Sequence, residues 1–529
     1  MKQLILVLLI FKCVAGQPRV DPLVSTSQGL IRGLQAQDGD YDMFLGIPYA
    51  VVDENNPFGA ASPHPGFNTT FTANQDGVHC TQKLGNIVSG SIQCLQLNVF
   101  VPRTANSAHT LPVIVYIHGG SFTRNHKGMS SLSPKFLIRH DVIIVTFNYR
   151  LGPYGFLCVS EPGYSNQGLK DQLLAVQWVK DNIAAFGGNV NELTIMAQSA
   201  GAMNLDLHLF SNERLGKRVI LHSGNALNSG WITTQNDSVP IMLAEDLGFT
   251  GEGVKEAIDY LSGLDHIEVV KVAEYYNANS DPITRPCIET VGDDAILTDY
   301  PENLKPKVKG MDIMIGHANK EIMFLYPNSD KNFYKIYDFS EELLRVFDSA
   351  YDEDIVRQFY VGDERGEHLQ DAILDYGSDV MFVHPAERTI DKYLEAGANV
   401  YRFVFSYEGS RNRNKYRMNL TSPGASHGDD LGYLFEMDIF EGEEINEEDQ
   451  RVIDVMTKMW TDFAKYGNPT PTTSELIPEQ WPPVSPSRRT YLNIGAPITV
   501  GSRPFHDRMA FWNLYFKLHG DHIHGLSHN

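Results

Sequence analysis

Three residue types carry the chemistry in this chain: Ser199, Glu321 and His427. A serine hydroxyl is a weak nucleophile at its own pKa. It becomes effective when an imidazole takes its proton and a carboxylate holds that imidazole. The order Ser, acid, His along a chain is one of the orders in which such triads occur. Ser199 closes the run Thr194-Ile195-Met196-Ala197-Gln198-Ser199-Ala200-Gly201, a short apolar stretch ending in a serine between small residues. Small neighbours are what a sharp strand-to-helix turn demands, because backbone crowds backbone there. Upstream, His118-Gly119-Gly120-Ser121-Phe122 follows the apolar run 113–117. Glycines in such a turn let the N–H groups of Gly119 and Gly120 point, beside that of Ala200, at a developing oxyanion. The set is suited to acyl transfer. His427 stands in Gly424-Ala425-Ser426-His427-Gly428, a turn with little bulk, as a mobile imidazole requires.

These groups need strands to hold them. Residues 113–117 and 142–147 are continuous β-branched and aromatic runs, which fit strands covered on both faces. Between Gln167 and Phe186, Leu169, Leu173, Val176, Val179 and Ile183 recur at helical spacing, and Gly187-Gly188 stops that helix. A strand at 193–196, then Ser199, then a helix from Ala200 to Phe210 complete an alternation that predicts an α/β fold with a mostly parallel sheet. Later strands are predicted at 312–316, just before Glu321, and at 400–405, before the His427 turn. From about 240 to 395 the chain reads as helical and amphipathic, an insertion over one edge of the sheet. No internal repeat or low-complexity linker divides residues 17–529, so a single domain is expected.

Composition sets the outer limits. At 529 residues, 42% hydrophobic and 20% charged, the chain has the make-up of a globular protein with a large core. A net charge of −22 argues against nucleic acid or an anionic membrane as partner. Residues 1–16 read as a secretory signal: Lys2, the apolar Leu4 to Phe11, then Val14-Ala15-Gly16. No later stretch is long and apolar enough to be a transmembrane anchor, so secretion is expected. Four cysteines follow the signal. Cys80 and Cys94 are favoured as a disulfide closing a polar loop, while Cys158 and Cys287 each fit a buried free thiol. Asn68, Asn236 and Asn419 open glycosylation sequons. No His or Cys spacing makes a metal site, no cofactor is implied, and the tail His522-Ile523-His524 reads as a disordered end.

Several longer stretches carry a family likeness: Phe44-Leu45-Gly46-Ile47-Pro48-Tyr49-Ala50, Asn148-Tyr149-Arg150-Leu151-Gly152-Pro153, Gly168-Leu169-Lys170-Asp171-Gln172, Asn182 to Asn189, and Trp460 to Pro469. With them the chain resembles the type-B carboxylesterase, cholinesterase-like family of α/β-hydrolases from about residue 22 to 517. The resemblance implies a central, mostly parallel sheet flanked by helices, with a helical region over the active site. It implies Ser199, Glu321 and His427 as triad, Gly119, Gly120 and Ala200 as oxyanion hole, Cys80–Cys94 as a disulfide, and a small-molecule ester as substrate. Gln198 before the nucleophile, with Arg150, Asp171 and Gly424-x-x-His427-x-x-Asp430, is similar to the juvenile-hormone-esterase pattern of secreted insect esterases. The expected substrate is a hydrophobic ester such as juvenile hormone, an odorant or pheromone acetate, or a xenobiotic. The chain departs from the family at Ala197 (usually Gly), at Ser121 (usually Gly), at Lys320 and Ile322 flanking Glu321, and at Ile92-Gln93 before Cys94. The rival readings are an inactive adhesion protein of the same fold and a ligand-binding protein.

Overall fold

A computed structural model of the chain describes residues 22–524 apart from 107, 212–214, 280–281, 291, 293 and 327–330. The expected signal, 1–16, lies outside the described residues. The centre of the molecule is an eleven-stranded sheet. In chain order its strands are β1 (Leu34–Gln35), β2 (Tyr41–Pro48), β3 (Gln96–Pro102), β4 (Leu111–Ile117), β5 (Ile143–Phe147), β6 (Gly188–Gln198), β7 (Arg218–His222), β8 (Asp312–Ala318), β9 (Asn399–Phe405), β10 (Thr490–Ile494) and β11 (Thr499–Ser502). They lie side by side as β11-β10-β9-β8-β7-β6-β4-β5-β3-β2-β1. From β5 across β4 and β6 to β10 every pairing is parallel, and antiparallel pairings occupy the two edges.

The parallel strands read as unbroken apolar runs because both faces are covered. Val113, Val115, Ile117, Ile195, Ala197, Val219, Leu221 and Ile313 point into one core, beneath α1 (Gln167–Asn182) and α2 (Ala200–Phe210). Their alternates Ile114, Tyr116, Met196, Ile220, Met314 and Phe403 point into the other. There the long helix that also carries Trp460 and Phe463, Glu447–Tyr466, lies against them. α1 continues as a 3-10 turn through Phe186 and ends at Gly187, whose φ of 81° places it in the left-handed region where glycine is favoured.

The predicted helical stretch is divided by β8. Its first half, 238–279, packs around Leu243, Ile258 and Leu261 on Phe58 and Tyr154. Its second half, 331–395, shares a core with the helix His506–His519. The tail reading is corrected. Ile523 is buried in that second core, and the His522 ring lies 4.6 Å from the Tyr351 ring.

Cys80 and Cys94 are bonded, across a segment that contains a small hairpin at 82–89. Cys158 and Cys287 are not free thiols but a second disulfide. The chain makes a long excursion between them, with a sequence separation of 129, and returns beside the start of α1. There the Asn166 side-chain amide bonds both the N–H and the carbonyl of Cys287. Nothing local to either cysteine signals that return.

Candidate active site

Ser199 sits between β6 and α2 at φ 58°, ψ −132°, a conformation that an L-residue adopts only when its surroundings impose it. The imposition is visible. Its N–H donates to the His222 carbonyl at 2.8 Å, and its own carbonyl accepts from Met203 N–H at 2.9 Å. A Cβ on Gly201 would fall 2.5 Å from the carbonyl oxygens of Ile117 and His118, so α2 can begin against β4 only if that residue is glycine. Ala197 needs no such licence. It is an ordinary strand residue paired with Ile117 and Leu221, and its methyl belongs to the core.

The other two residues of the sequence-predicted set converge on this serine from the ends of β8 and β9. His427 Nε2 lies 2.7 Å from Ser199 Oγ, and His427 Nδ1 lies 2.5 Å from Glu321 Oε2. With Nδ1 donating to the carboxylate, the Nε2 lone pair faces the serine hydroxyl. Glu321 is fully buried on the turn after β8, and its other oxygen accepts from Ser223 Oγ and Ala318 N–H, both at 2.6 Å. Its unusual neighbours do not disturb it. Lys320 turns outward to Asp371 and Asp375, while Ile322 is buried in the core of the second helical region.

His427 is not the loosely held imidazole that its small neighbours predict. Its ring is stacked by Phe324 at 4.6 Å and approached by Phe382 at 5.2 Å. Its carbonyl accepts from Asn414 Nδ2 at 2.5 Å. Asp429, two residues on, accepts the backbone N–H groups of Ser426 and Asn414 at 2.6 and 2.7 Å. Burial pushes the Asp429 carboxyl up to about 6 against the pull of those donors. Gln198 Nε2 also lies 3.1 Å from His427 Nε2, so a side-chain amide shares that nitrogen with the serine hydroxyl.

The glycine turn after β4 abuts the serine. A Cβ on Gly119 would come 2.7 Å from Ser199 Cβ. Gly120 takes φ 122°, and Ser121 and Phe122 follow at 53° and 62°, so Ser121 holds in left-handed space the place where a glycine is usual. Gly152 N–H, donating to the Phe122 carbonyl at 2.8 Å, helps to hold them there. Tyr149 steadies the start of the turn: its hydroxyl donates to the His118 carbonyl at 2.7 Å and its ring stacks on His118 at 4.5 Å. Burial pushes the His118 imidazole down to about 4, so it stays neutral, with Nδ1 donating to the Gly119 carbonyl at 2.9 Å. Arg150 and Asp171 form a buried two-pronged ion pair that also ties down the carbonyls of Pro57 and Gly59. That role is structural, below the floor of the site.

Sequence reasoning missed several neighbours. Ser223 takes up one Glu321 oxygen, and the two phenylalanines flank His427. Immediately behind lies a second His–carboxylate pair, His222 Nδ1 to Asp430 Oδ2 at 2.5 Å. The Asp430 of the Gly424-x-x-His427-x-x-Asp430 pattern was the available signal, but nothing in the sequence named its partner. A cavity of about 250 Å³ opens over Ser199 and His427, bordered by Gly120, Gln198 and Phe324. A more apolar groove bordered by Met459, Ile477 and Pro497 contains none of Ser199, Glu321 and His427.

Comparison with known proteins identifies the family. The family model described as Carboxylesterase family matches residues 20–512. Bile salt-activated lipase of Mus musculus is 30% identical over 93% of this chain and 86% of its own length. Juvenile hormone esterase of Tribolium castaneum is 31% identical over 85% of this chain and 84% of its own. The crystal structure of juvenile hormone esterase from Manduca sexta, with OTFP covalently attached, superposes with a TM-score of 0.80 at 26% identity. That superposition covers 94% of this chain and all of the other. With its parallel sheet and a serine raised on a strand-to-helix turn, this chain belongs to the carboxylesterase family of α/β-hydrolases and is a carboxylic ester hydrolase.

Proposed function

We propose that the chain hydrolyses esters by a two-step acyl transfer through Ser199. The observation that carries this reading is the unbroken line from Ser199 Oγ to His427 Nε2 at 2.7 Å and from His427 Nδ1 to Glu321 at 2.5 Å. Ser199 Oγ attacks the ester carbonyl carbon while His427 Nε2 takes its proton, and Glu321 holds the imidazolium that forms. The N–H groups of Gly119, Gly120 and Ala200 receive the oxyanion. The bond to the alcohol breaks, and the alcohol leaves with the proton from His427. Water then attacks the acyl-serine and gives a proton to His427, the acyl–Oγ bond breaks as His427 returns that proton to Ser199 Oγ, and the carboxylic acid leaves. In this reading residues 17–529 are one catalytic domain, secreted after loss of residues 1–16. Asn68, Asn236 and Asn419, all exposed, are its glycosylation sites. Among the described residues no helix is long and apolar enough to cross a membrane. The substrate is an ester with a substantial hydrophobic portion, accommodated by Leu84, Phe324, Met437 and Ile439 along the cavity.

The test is hydrolysis of a short-chain chromogenic ester by the purified protein, with the Ser199→Ala variant and an organophosphate as controls. Turnover that is lost in the variant, together with a covalent organophosphoryl adduct on Ser199, is the expected result. An unmutated protein that neither turns over nor forms the adduct would refute the proposal.

A further inference from the structure

The cavity over Ser199 is opposite in charge to the molecule that contains it. The chain has 65 acidic residues against 43 lysines and arginines. The cavity lining nevertheless includes no Asp or Glu, and it includes three arginines, Arg124, Arg413 and Arg417. Arg413 and Arg417 belong to the basic segment Arg411-Asn412-Arg413-Asn414-Lys415-Tyr416-Arg417, whose alternate cations have separate fates. Arg411 is consumed by Glu436 at 2.5 Å and the Gly432 carbonyl at 2.9 Å. Lys415 is consumed by Glu408 at 2.7 Å and the Gly424 carbonyl at 2.8 Å. Arg413 and Arg417 line the cavity, and among the described residues neither their guanidinium groups nor that of Arg124 make a hydrogen bond or ion pair.

The acids that face these cations do not neutralise them by contact. Asp429 and Asp430 are the carboxylates acting on Arg413. Asp429 is occupied by backbone N–H groups and Asp430 by His222. Glu274 acts on Arg124 but also on Lys83. Burial holds the Arg413 guanidinium below its usual pKa, and burial, then Arg413, then Arg124 do the same to Arg417. A half-buried guanidinium without a protein partner keeps its donors free, and its planar fork matches a carboxylate, sulfate or phosphate. The half-buried Arg413 neighbours Asn414, which holds the His427 carbonyl, whereas Arg124 and Arg417 are exposed at the rim.

We propose that this cavity selects esters bearing an anionic group elsewhere in the molecule, with Arg413 as the anchoring residue and Arg417 and Arg124 as rim residues that draw the anion in. This narrows the hydrophobic-ester reading to amphiphilic, negatively charged esters, and it rests on Ser199 being the nucleophile.

The experiment compares kcat/KM within matched ester pairs on the full-length protein. One arm places the charge on the acyl side (p-nitrophenyl hydrogen adipate against its methyl ester). The other places it on the alcohol side (p-acetoxybenzenesulfonate against the corresponding methyl sulfone). In at least one arm the anionic member is expected to be favoured about tenfold at low salt, the factor falling at high salt. Arg413→Gln should abolish that ratio through KM, and Arg413→Lys should restore part of it. Because the ratio is taken within one enzyme sample, partial misfolding lowers both rates and leaves it unmoved. Hydrolysis of the neutral esters with no anionic preference in either arm overturns this inference while leaving the esterase reading intact. Failure to hydrolyse any ester, with no adduct on Ser199, overturns the esterase reading itself. A ratio unchanged in Arg413→Gln removes Arg413 from the role.

Discussion

Two histidines lie back to back in this molecule, each with Nδ1 at 2.5 Å from a buried carboxylate: His427 on Glu321 and His222 on Asp430. They differ in what faces the other nitrogen. His427 Nε2 meets the Ser199 hydroxyl at the floor of an open cavity. His222 Nε2 accepts the indole N–H of Trp460 at 2.9 Å inside the core, and no substrate can reach it. A carboxylate-oriented imidazole is therefore not in itself a catalytic device. It becomes one when its free lone pair faces a group with a proton to give and a space for substrate, and it becomes a fastener when a donor such as tryptophan fills that lone pair.

The largest effect that separates the pairs is expected from neutralising their acids. Glu321→Gln should cut kcat on the order of 10³- to 10⁴-fold, because the amide no longer holds the productive tautomer or the imidazolium. Asp430→Asn should cost less than tenfold. Comparable losses in the two variants would mean that the second pair takes part in the reaction. Next in size is stability. His222→Ala strands Asp430 in the core and should destabilise the fold by roughly 3–5 kcal/mol, read from urea unfolding, while turnover per folded molecule changes little.

A third expectation concerns buried histidines whose rings make no hydrogen bond to a carboxylate. Burial pushes His118 and His317 down to about 4, and His208 and His384 down to about 3. Below pH about 6.5 the unfolded chain takes up protons on these rings and the folded chain does not. Stability from this source is thus complete above pH about 6.5 and declines as pH falls toward 4. A urea midpoint that rises on acidification through that window would contradict it. The smallest effect is at Gln198, whose amide shares His427 Nε2. Gln198→Glu places a carboxylate beside the imidazolium, so the acid limb of kcat/KM should move to higher pH by up to about one unit. A shift toward lower pH would mean that the side chain does not reach that nitrogen.

What was legible in the sequence follows from how local each constraint is. The strand-to-helix turn at Ser199 and the glycine turn at 119–120 are local steric problems. Small residues at fixed offsets solve them, so they announce themselves. The parallel strands were legible because burial on both faces leaves unbroken apolar runs, and α1 because its apolar residues keep helical spacing. His427 does lie against Ser199, but its setting differs from the one its neighbours predict. Its Gly/Ser-rich neighbours predict looseness, whereas Phe324 and Phe382, distant in sequence, close on the ring. The same remoteness hid Cys158–Cys287 and the His222–Asp430–Trp460 chain.

By itself, then, the sequence determined the fold class and pointed to Ser199, Glu321, His427 and the glycine turn at 119–120 as candidates. Each is written in residue types within a few positions of one another. Only the tertiary structure decided which of two carboxylate-held histidines meets a serine. It also decided which cysteines join, and which cations of the 411–417 segment are spent on the scaffold and which are left facing the cavity. The histidine pairings and the Cys158–Cys287 bond join residues more than a hundred positions apart, and the cations of 411–417 are sorted by acids and carbonyls from 7 to 25 positions away, proximities that no helical or strand period encodes.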